Sequence, residues 1–236
     1  MLLRSAPRHL HLHLRLRLHS TAAAAAVATP APPPRPTEWT EAPVSSVRPA
    51  TADSSLFHVS LDLSSHVDLL ASHRLPGTPS ARLCDLRPGD LVHVGGSVIG
   101  RGFEVGRIAD ARDVLVFATG SGISPIRSLI ESGFGENKHT DVSLFYGVRN
   151  LQRMAYQERF SNWESRGIKI IPVLSRPDDQ WTGERGYVQN AFSRMNKVVN
   201  PSSMGAILCG HKQMSEEITR ALVADGMSKD RILTNF

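Results

Sequence analysis

The chain has 236 residues, 41% of them hydrophobic, with 27 basic and 22 acidic residues and a formal net charge of +5. This length fits one large domain or two small ones, and no run approaches the roughly 18 consecutive apolar residues of a membrane span. Five of the basic residues are arginines within residues 1–37, a stretch without acidic residues. The rest of the chain then balances 22 basic against 22 acidic residues, which argues against nucleic-acid binding and against attraction to anionic membranes.

Residues 1–43 predict a transit peptide followed by a proline-rich linker. The arginine-rich start leads through Thr21–Ala26 into Pro30–Pro36, a composition typical of organellar targeting. The Ala/Pro/Thr-rich part favours a chloroplast or other plastid, whereas the Arg/Leu-rich start favours the alternative, a mitochondrion. The two cysteines, Cys84 and Cys209, have no metal-ligand spacing and fit a reducing compartment.

Residues 44–110 predict a small β domain. Leu56–Leu63 alternates apolar and polar residues, as a half-buried strand does. Arg87–Asp90 is a turn signal and precedes a short apolar strand, Leu91–Val94.

Residues 111–236 predict an α/β domain with a doubly wound parallel sheet, because apolar runs alternate with helical patterns. Ligands of such sheets bind at the carboxyl ends of the strands, where strand order switches. The predicted strands are Val114–Ala118, Val142–Tyr146, Ile168–Leu174, Ala206–Cys209 and Arg231–Thr234, and the predicted helices are Ser124–Ser132, Arg153–Arg166 and Ser215–Asp225.

The strongest motif is a glycine-rich turn between the first of these strands and its helix. Thr119-Gly-Ser-Gly122 follows the strand, and Ser124-Pro125 opens the helix. Glycines let a pyrophosphate approach the backbone, and a helix N-terminus offers free N–H groups. The alternative is a turn without a ligand, but the complete strand–turn–helix context favours phosphate binding.

Two further motifs follow later strands. Ser175-Arg176 lies where the far end of a dinucleotide would reach, and an arginine fork suits a phosphate; a surface Ser-Arg pair before a proline is an equal alternative. Cys209-Gly210 lies at the end of the fourth strand, and a buried structural cysteine is the alternative there.

In this order, the three motifs resemble the ferredoxin–NADP reductase superfamily, in particular plant plastid reductase-like FAD/NAD(P)-binding oxidoreductases. The resemblance implies that the pyrophosphate loop comprises Thr119, Gly120, Ser121, Gly122, Ile123 and Pro125, and that Ser175 and Arg176 lie by the 2′-phosphate. It implies that Tyr187 and Gln189 lie on the adenine side and that Gly147 and Arg149 form the turn after the second strand. The segment beside the nicotinamide would contain Cys209, Gly210 and Met214, with Cys209 as the catalytic residue.

The resemblance extends upstream to a shortened FAD-binding β-barrel domain. Gly77, Thr78 and Ser80 match the family segment that touches the flavin pyrophosphate. The family's Arg-x-Tyr-Ser/Thr flavin motif is absent from residues 44–112, and only a short stretch separates Leu63 from Leu75, where the family has several strands. We therefore hypothesise a truncated or alternatively spliced form. Phe236 resembles the C-terminal aromatic residue that can stack on flavin, or it is a frayed end.

The resemblance implies an enzyme that binds FAD and NADP (or NAD) and passes electrons between NAD(P)H and an acceptor. That acceptor would be a small electron-transfer protein or a small molecule. The first alternative is a nucleotide-binding isoform that has lost flavin and catalysis. A second alternative is an interaction protein without any cofactor, which the intact glycine loop disfavours.

Overall fold

The structure is a computed structural model that describes residues 39–54, 57–62, 85–95, 102–134, 140–195 and 198–235. The predicted transit peptide and the predicted contacts Gly77, Thr78, Ser80 and Phe236 lie outside these residues. The chain divides into two compact units, one containing residues up to Arg48 together with His58–Ile99, and one containing Pro49–Phe57 together with Gly100–Phe236.

The first unit contains a three-stranded sheet. Its strands are β1 (Trp39–Pro49), β2 (Phe57–Leu61) and β3 (Leu91–Gly95), in the order β2-β1-β3. β1 pairs antiparallel with β3, and the buried residues are Ala42, Val44 and Val92. The strand begins at Trp39, ahead of the predicted domain start at residue 44.

The turn predicted before β3 is present. The N–H of Asp90 donates to the carbonyl of Arg87 at 3.0 Å, and the N–H of Arg87 donates to a carboxylate oxygen of Asp90 at 2.7 Å. Gly89 adopts a φ of +95°, which glycine tolerates without steric cost.

The second unit contains a parallel sheet, which confirms the predicted fold class. Its six strands have the order β7-β6-β5-β4-β8-β9, so the chain moves outward from β4 and returns to its other side with β8. This reversal is a topological switch point between β4 and β8. The strands are β4 (Asp113–Thr119), β5 (Asp141–Val148), β6 (Ile168–Leu174), β7 (Glu184–Arg185), β8 (Met204–Cys209) and β9 (Ile232–Thr234).

Helices cover both faces of this sheet. They are α1 (Ile123–Glu131), α2 (Phe160–Ser165), α3 (Val188–Met195) and α4 (Lys212–Ala224). Along β4, Val114, Val116 and Ala118 face the core that contains α1 and α2, whereas Leu115 and Phe117 face the core that contains α3 and α4. No helix in the described part of the chain is long and apolar enough to cross a bilayer.

The predicted helix Arg153–Arg166 is wrong over most of its length. Only Phe160–Ser165 is α-helical, and short 3₁₀ turns precede it. Two features prevent an earlier start: the N–H of Ala155 donates to the Tyr146 hydroxyl instead of to a helical carbonyl, and Tyr156 has a φ of +66°, outside the helical region. The helix α3 and the short strand β7 were not predicted.

Candidate nucleotide-binding site

The glycine-rich turn lies at the switch point, as predicted. β4 ends at Thr119, a 3₁₀ turn spans Gly120–Gly122, and α1 begins at Ile123. Gly120 has a φ of +53°, and the space that a Cβ atom would occupy there is open. Pro125 lies in the first turn of α1, where the helix does not use its missing N–H. The first N–H groups of α1 therefore lie beside an unobstructed backbone, and Ser121 is exposed next to them.

Close backbone packing joins this turn to the segment after β8. A Cβ atom at Gly122 would lie 2.7 Å from the Cα of Gly210, and one at Gly210 would lie 2.8 Å from the nitrogen of Thr119. The N–H of His211 donates to the hydroxyl oxygen of Thr119 at 2.8 Å. Gly122 and Gly210 are thus required by the fit of two loops against each other, whatever they bind.

The ends of β5 and β6 bring two arginines together. The N–H of Ser175 donates to Val148 O at 2.9 Å, and the N–H of Arg176 donates to Arg149 O at 2.7 Å. Both arginine side chains are exposed, and neither forms a hydrogen bond or ion pair with another described residue. Two guanidinium groups are therefore available for a ligand at this edge.

The neighbouring arginines are occupied instead. Arg185 donates to the carbonyls of Asp178 and Trp181 at 3.2 and 2.6 Å. Arg194 donates to the Glu184 carboxylate at 2.6 Å. These two side chains stabilise the segment between β6 and α3.

The start of α3 carries the predicted adenine-side residues. Tyr187 precedes the helix with 65% of its surface exposed, which is high for a large aromatic side chain. The Gln189 amide donates to the Glu217 carboxylate on α4 at 2.7 Å, so one end of this side chain already has a protein partner. A Cβ atom at Gly147 would collide with Val188, and this glycine therefore lets α3 approach β5.

Three predicted contact residues are buried. Ile123 and Met214 are 0% and 3% exposed and lie on opposite faces of the sheet, so their side chains fill the core. Cys209 is 1% exposed, and its thiol lies 3.5 Å from the side-chain oxygen of Asn235. The predicted cofactor contacts of Ile123 and Met214 stay predictions, and with buried side chains these residues would contribute their backbone. The catalytic role of Cys209 stays a prediction.

The sequence did not single out one pair at this site. The hydroxyl of Ser124, in the first turn of α1, lies 3.2 Å from the hydroxyl of Tyr156. These residues are 32 positions apart, and no local motif connects them.

Comparisons with known proteins agree with this geometry. The family model for the oxidoreductase NAD-binding domain matches residues 116–220. The fruit protein pKIWI502 from Actinidia deliciosa is 38% identical over 243 aligned positions, which cover 83% of this chain and 76% of that protein. The chain belongs to the ferredoxin–NADP reductase-like family of FAD/NAD(P)-binding oxidoreductases. The cyanelle ferredoxin–NADP reductase of Cyanophora paradoxa is 28% identical over 161 positions, 62% of this chain.

The fraction of a relative's length that this chain spans differs between relatives. The chain spans 43% of the cyanelle reductase, less than half of its length. A ferredoxin NADP⁺ reductase from Neisseria gonorrhoeae, solved with bound FAD and NADP, superposes with a TM-score of 0.64 over 83% of this chain and 97% of that one. At 16% identity this similarity shows the fold alone.

The alignment with the kiwifruit protein also bears on the shortened domain. It runs over 243 positions, yet 83% of this 236-residue chain is about 196 residues. About 47 of the 243 positions are therefore occupied in the relative and not in this chain. Gaps of this combined length within the aligned region support the hypothesis of an internally shortened form.

Proposed function

We propose that this protein binds NADPH across the carboxyl edge of its parallel sheet. The main support for this proposal is the open turn at Gly120, which adjoins the first N–H groups of α1 at the switch point between β4 and β8. Backbone N–H groups and the positive end of the helix dipole favour a diphosphate there. The adenosine would lie towards the exposed ring of Tyr187.

The two unpaired arginines support NADPH over NADH as the coenzyme. Arg149 and Arg176 lie side by side because their backbones are hydrogen-bonded at 2.7 Å. A guanidinium group can form paired hydrogen bonds to a phosphate, and two of them would balance the charge of a 2′-phosphate. NADH lacks this phosphate and would leave both guanidinium groups in water.

The family assignment places the protein among NAD(P)H-linked flavin oxidoreductases, and our first candidate activity is electron transfer from NADPH through FAD to an acceptor. When bound, FAD would accept a hydride from the nicotinamide. The contribution of this chain would be to hold the nicotinamide near Cys209 and Gly210 in a fixed orientation.

The described residues support a binding site for FAD less well than a binding site for NADPH. The predicted flavin contacts Gly77, Thr78 and Ser80 lie outside the described residues. The Arg-x-Tyr-Ser/Thr motif is missing, and the first tyrosine of the chain is Tyr146, in the other unit. The described residues therefore include none of the predicted flavin contacts.

A nucleotide-binding isoform without flavin is the second candidate. The roughly 47 unmatched positions in the kiwifruit alignment favour it. Their combined length equals that of several strands at the usual strand length of about five to six residues. Losing strands from a barrel exposes unpaired edges and removes part of a ligand pocket.

The visible absorbance spectrum of the purified full chain, supplied with FAD and then with NADPH, distinguishes the two candidates. A flavin spectrum that bleaches on addition of NADPH supports the oxidoreductase. A colourless protein that still binds NADPH in a titration supports the isoform. A protein that binds neither ligand would refute the proposed site.

We further propose that the protein resides in a plastid. The acid-free, arginine-containing segment 1–37 and the similarity to a plant protein and a cyanelle reductase support this location. Fusion of residues 1–38 to a fluorescent protein tests it, and fluorescence confined to mitochondria would contradict it.

A further inference from the structure

The helix α1 contains a buried arginine, one turn after its start. Arg127 is 3% exposed, which is exceptional for an arginine. Its Nε donates to a carboxylate oxygen of Glu131 at 2.9 Å, and its guanidinium carbon lies 4.8 Å from the ring centroid of Tyr156. Burial acts to lower the pKa of Arg127, but hydrogen bonds to Glu131 and Tyr156 outweigh it and raise the pKa overall. The group is therefore a permanent positive charge.

Tyr156 is held in a backbone conformation that its residue type rarely adopts. Its φ of +66° is left-handed, and it is one of two non-glycine residues with positive φ among the described residues. Such a conformation costs about 1 kcal/mol or more and persists only where surrounding contacts impose it. Here the contacts are Arg127 over the ring, Trp163 at 6.4 Å between ring centroids and Ser124 at the hydroxyl.

The two hydroxyl groups share one hydrogen bond beside the guanidinium group of Arg127. A guanidinium group only donates, so the hydrogen bond that raises the pKa of Arg127 uses the Tyr156 oxygen as its acceptor. The Ser124 and Tyr156 oxygens are 3.2 Å apart, and either hydroxyl can be the donor. When Tyr156 donates, the proton of Ser124 is left for another acceptor, and no other described residue accepts it.

We propose that Arg127 and Tyr156 position the Ser124 hydroxyl as a hydrogen-bond donor to the diphosphate of the dinucleotide. Ser124 is the second residue of α1 and is only half-buried, so it lies in the helix turn that would meet that anion. The positive charge of Arg127 polarises the hydroxyl groups of Tyr156 and Ser124. Arg127 and Tyr156 are thus positioning residues, and this inference rests on the proposed function.

The test combines two ligands with single and double substitutions in the full chain. Tyr156→Phe removes the hydroxyl and keeps the ring over Arg127. Adenosine 2′-monophosphate contains the adenosine and the 2′-phosphate but no diphosphate. We expect Tyr156→Phe and Ser124→Ala each to weaken NADPH binding about fivefold, which corresponds to loss of one hydrogen bond to a charged group or of its orientation. Binding of adenosine 2′-monophosphate should not change.

The double variant separates positioning from independent effects. If Tyr156 acts through Ser124, Tyr156→Phe adds no further loss to Ser124→Ala. Ser165→Ala, at an exposed serine that bonds to Asn162 O, is the matched control and should leave both affinities unchanged.

Three results would overturn the proposal: unchanged NADPH affinity in Tyr156→Phe, equal losses for both ligands, or additive losses in the double variant. A wild-type protein that binds neither ligand would instead refute the proposed function, and the inference with it.

Discussion

The hydroxyl oxygen of Thr119 accepts the backbone N–H of His211 at 2.8 Å, although 92 residues separate them. Thr119 ends β4, and His211 precedes α4, so the bond joins the two loops on either side of the switch point. Gly210 lies directly against Thr119, where a side chain would collide with its backbone. The floor of the proposed nucleotide site is therefore a single packed unit made of two loops.

Thr119→Val should loosen this floor without changing its shape. Valine keeps the methyl group that lies near Gly147 and removes the acceptor of the His211 N–H. We expect a loss of about 1 kcal/mol in the free energy of unfolding, measured by urea denaturation, together with weaker NADPH binding. Thr182→Val, at an exposed threonine, is the control. Equal effects of both substitutions would contradict a role for the bond.

The two glycines of the turn should respond differently to substitution. A Cβ atom at Gly122 would lie 2.6 Å from the carbonyl carbon of Cys209, so Gly122→Ala should destabilise the fold by about 3 kcal/mol. Gly120 is open, and asparagine tolerates its positive φ, so Gly120→Asn should cost about 1 kcal/mol or less while it obstructs the diphosphate.

Gly167→Asn is the control for that comparison, because Gly167 also has a positive φ and open space but lies at the start of β6. Thermal unfolding and NADPH titration report the two effects separately. Unchanged NADPH affinity in Gly120→Asn would contradict the placement of the diphosphate at this turn.

The elements that could be predicted from the sequence are those whose pattern is local. The strand Ile168–Leu174 was predicted with its observed bounds, because all its residues except Lys169 are apolar, and strands of a parallel sheet appear as largely apolar runs. The helix α3 was missed because it has eight residues, and only Val188, Ala191 and Phe192 are buried. The irregular segment before α2 depends on the Tyr146 hydroxyl, nine residues away from Ala155, which no helical pattern reveals.

In the candidate site, too, the sequence indicates local features and not contacts between distant segments. The turn from Thr119 to Gly122 is contiguous in sequence, and its strand–turn–helix context indicates its function. The contact of Ser124 with Tyr156 and the contact of Thr119 with His211 arise only when distant segments meet. The side chains of Ile123 and Met214 are buried in the core, and a local motif does not reveal which of its apolar side chains the fold buries.

Arg176→Ala should change the preference between the two coenzymes. Its guanidinium has no partner among the described residues, so its removal should cost little stability. We expect NADPH affinity to fall by about tenfold or more, and NADH affinity to change little, because only NADPH carries a 2′-phosphate. Arg220→Ala, at an exposed arginine on α4, is the control. Equal losses for both coenzymes would place Arg176 away from the 2′-phosphate.

Tyr146→Phe should destabilise the second unit. The Tyr146 ring is fully buried, and its hydroxyl accepts the N–H of Ala155 at 3.1 Å. Burial raises the pKa of Tyr146, so the hydroxyl stays neutral at physiological pH. Phenylalanine leaves a buried N–H without its acceptor, which costs about 1–3 kcal/mol. Tyr187→Phe, at a tyrosine that is 65% exposed, is the control and should stay within about 0.5 kcal/mol of wild type.

The ion pair between Arg231 and Asp110 should make stability depend on pH in the acid range. Two guanidinium nitrogens donate to the two Asp110 carboxylate oxygens at 3.0 and 3.2 Å, and these hydrogen bonds from Arg231 lower the pKa of Asp110 below 3.8. A depressed folded-state pKa means that the contribution is complete above the unfolded-state pKa of about 3.9 and is lost as pH falls through the folded-state value. Asp110→Asn should therefore be less stable than wild type near pH 7, and the difference should vanish as the pH is lowered below that range. Urea denaturation at several pH values measures this, with Asp179→Asn, at an exposed aspartate, as the control. A difference between Asp110→Asn and wild type that stays constant down to acid pH would show that the ionised pair does not contribute to stability.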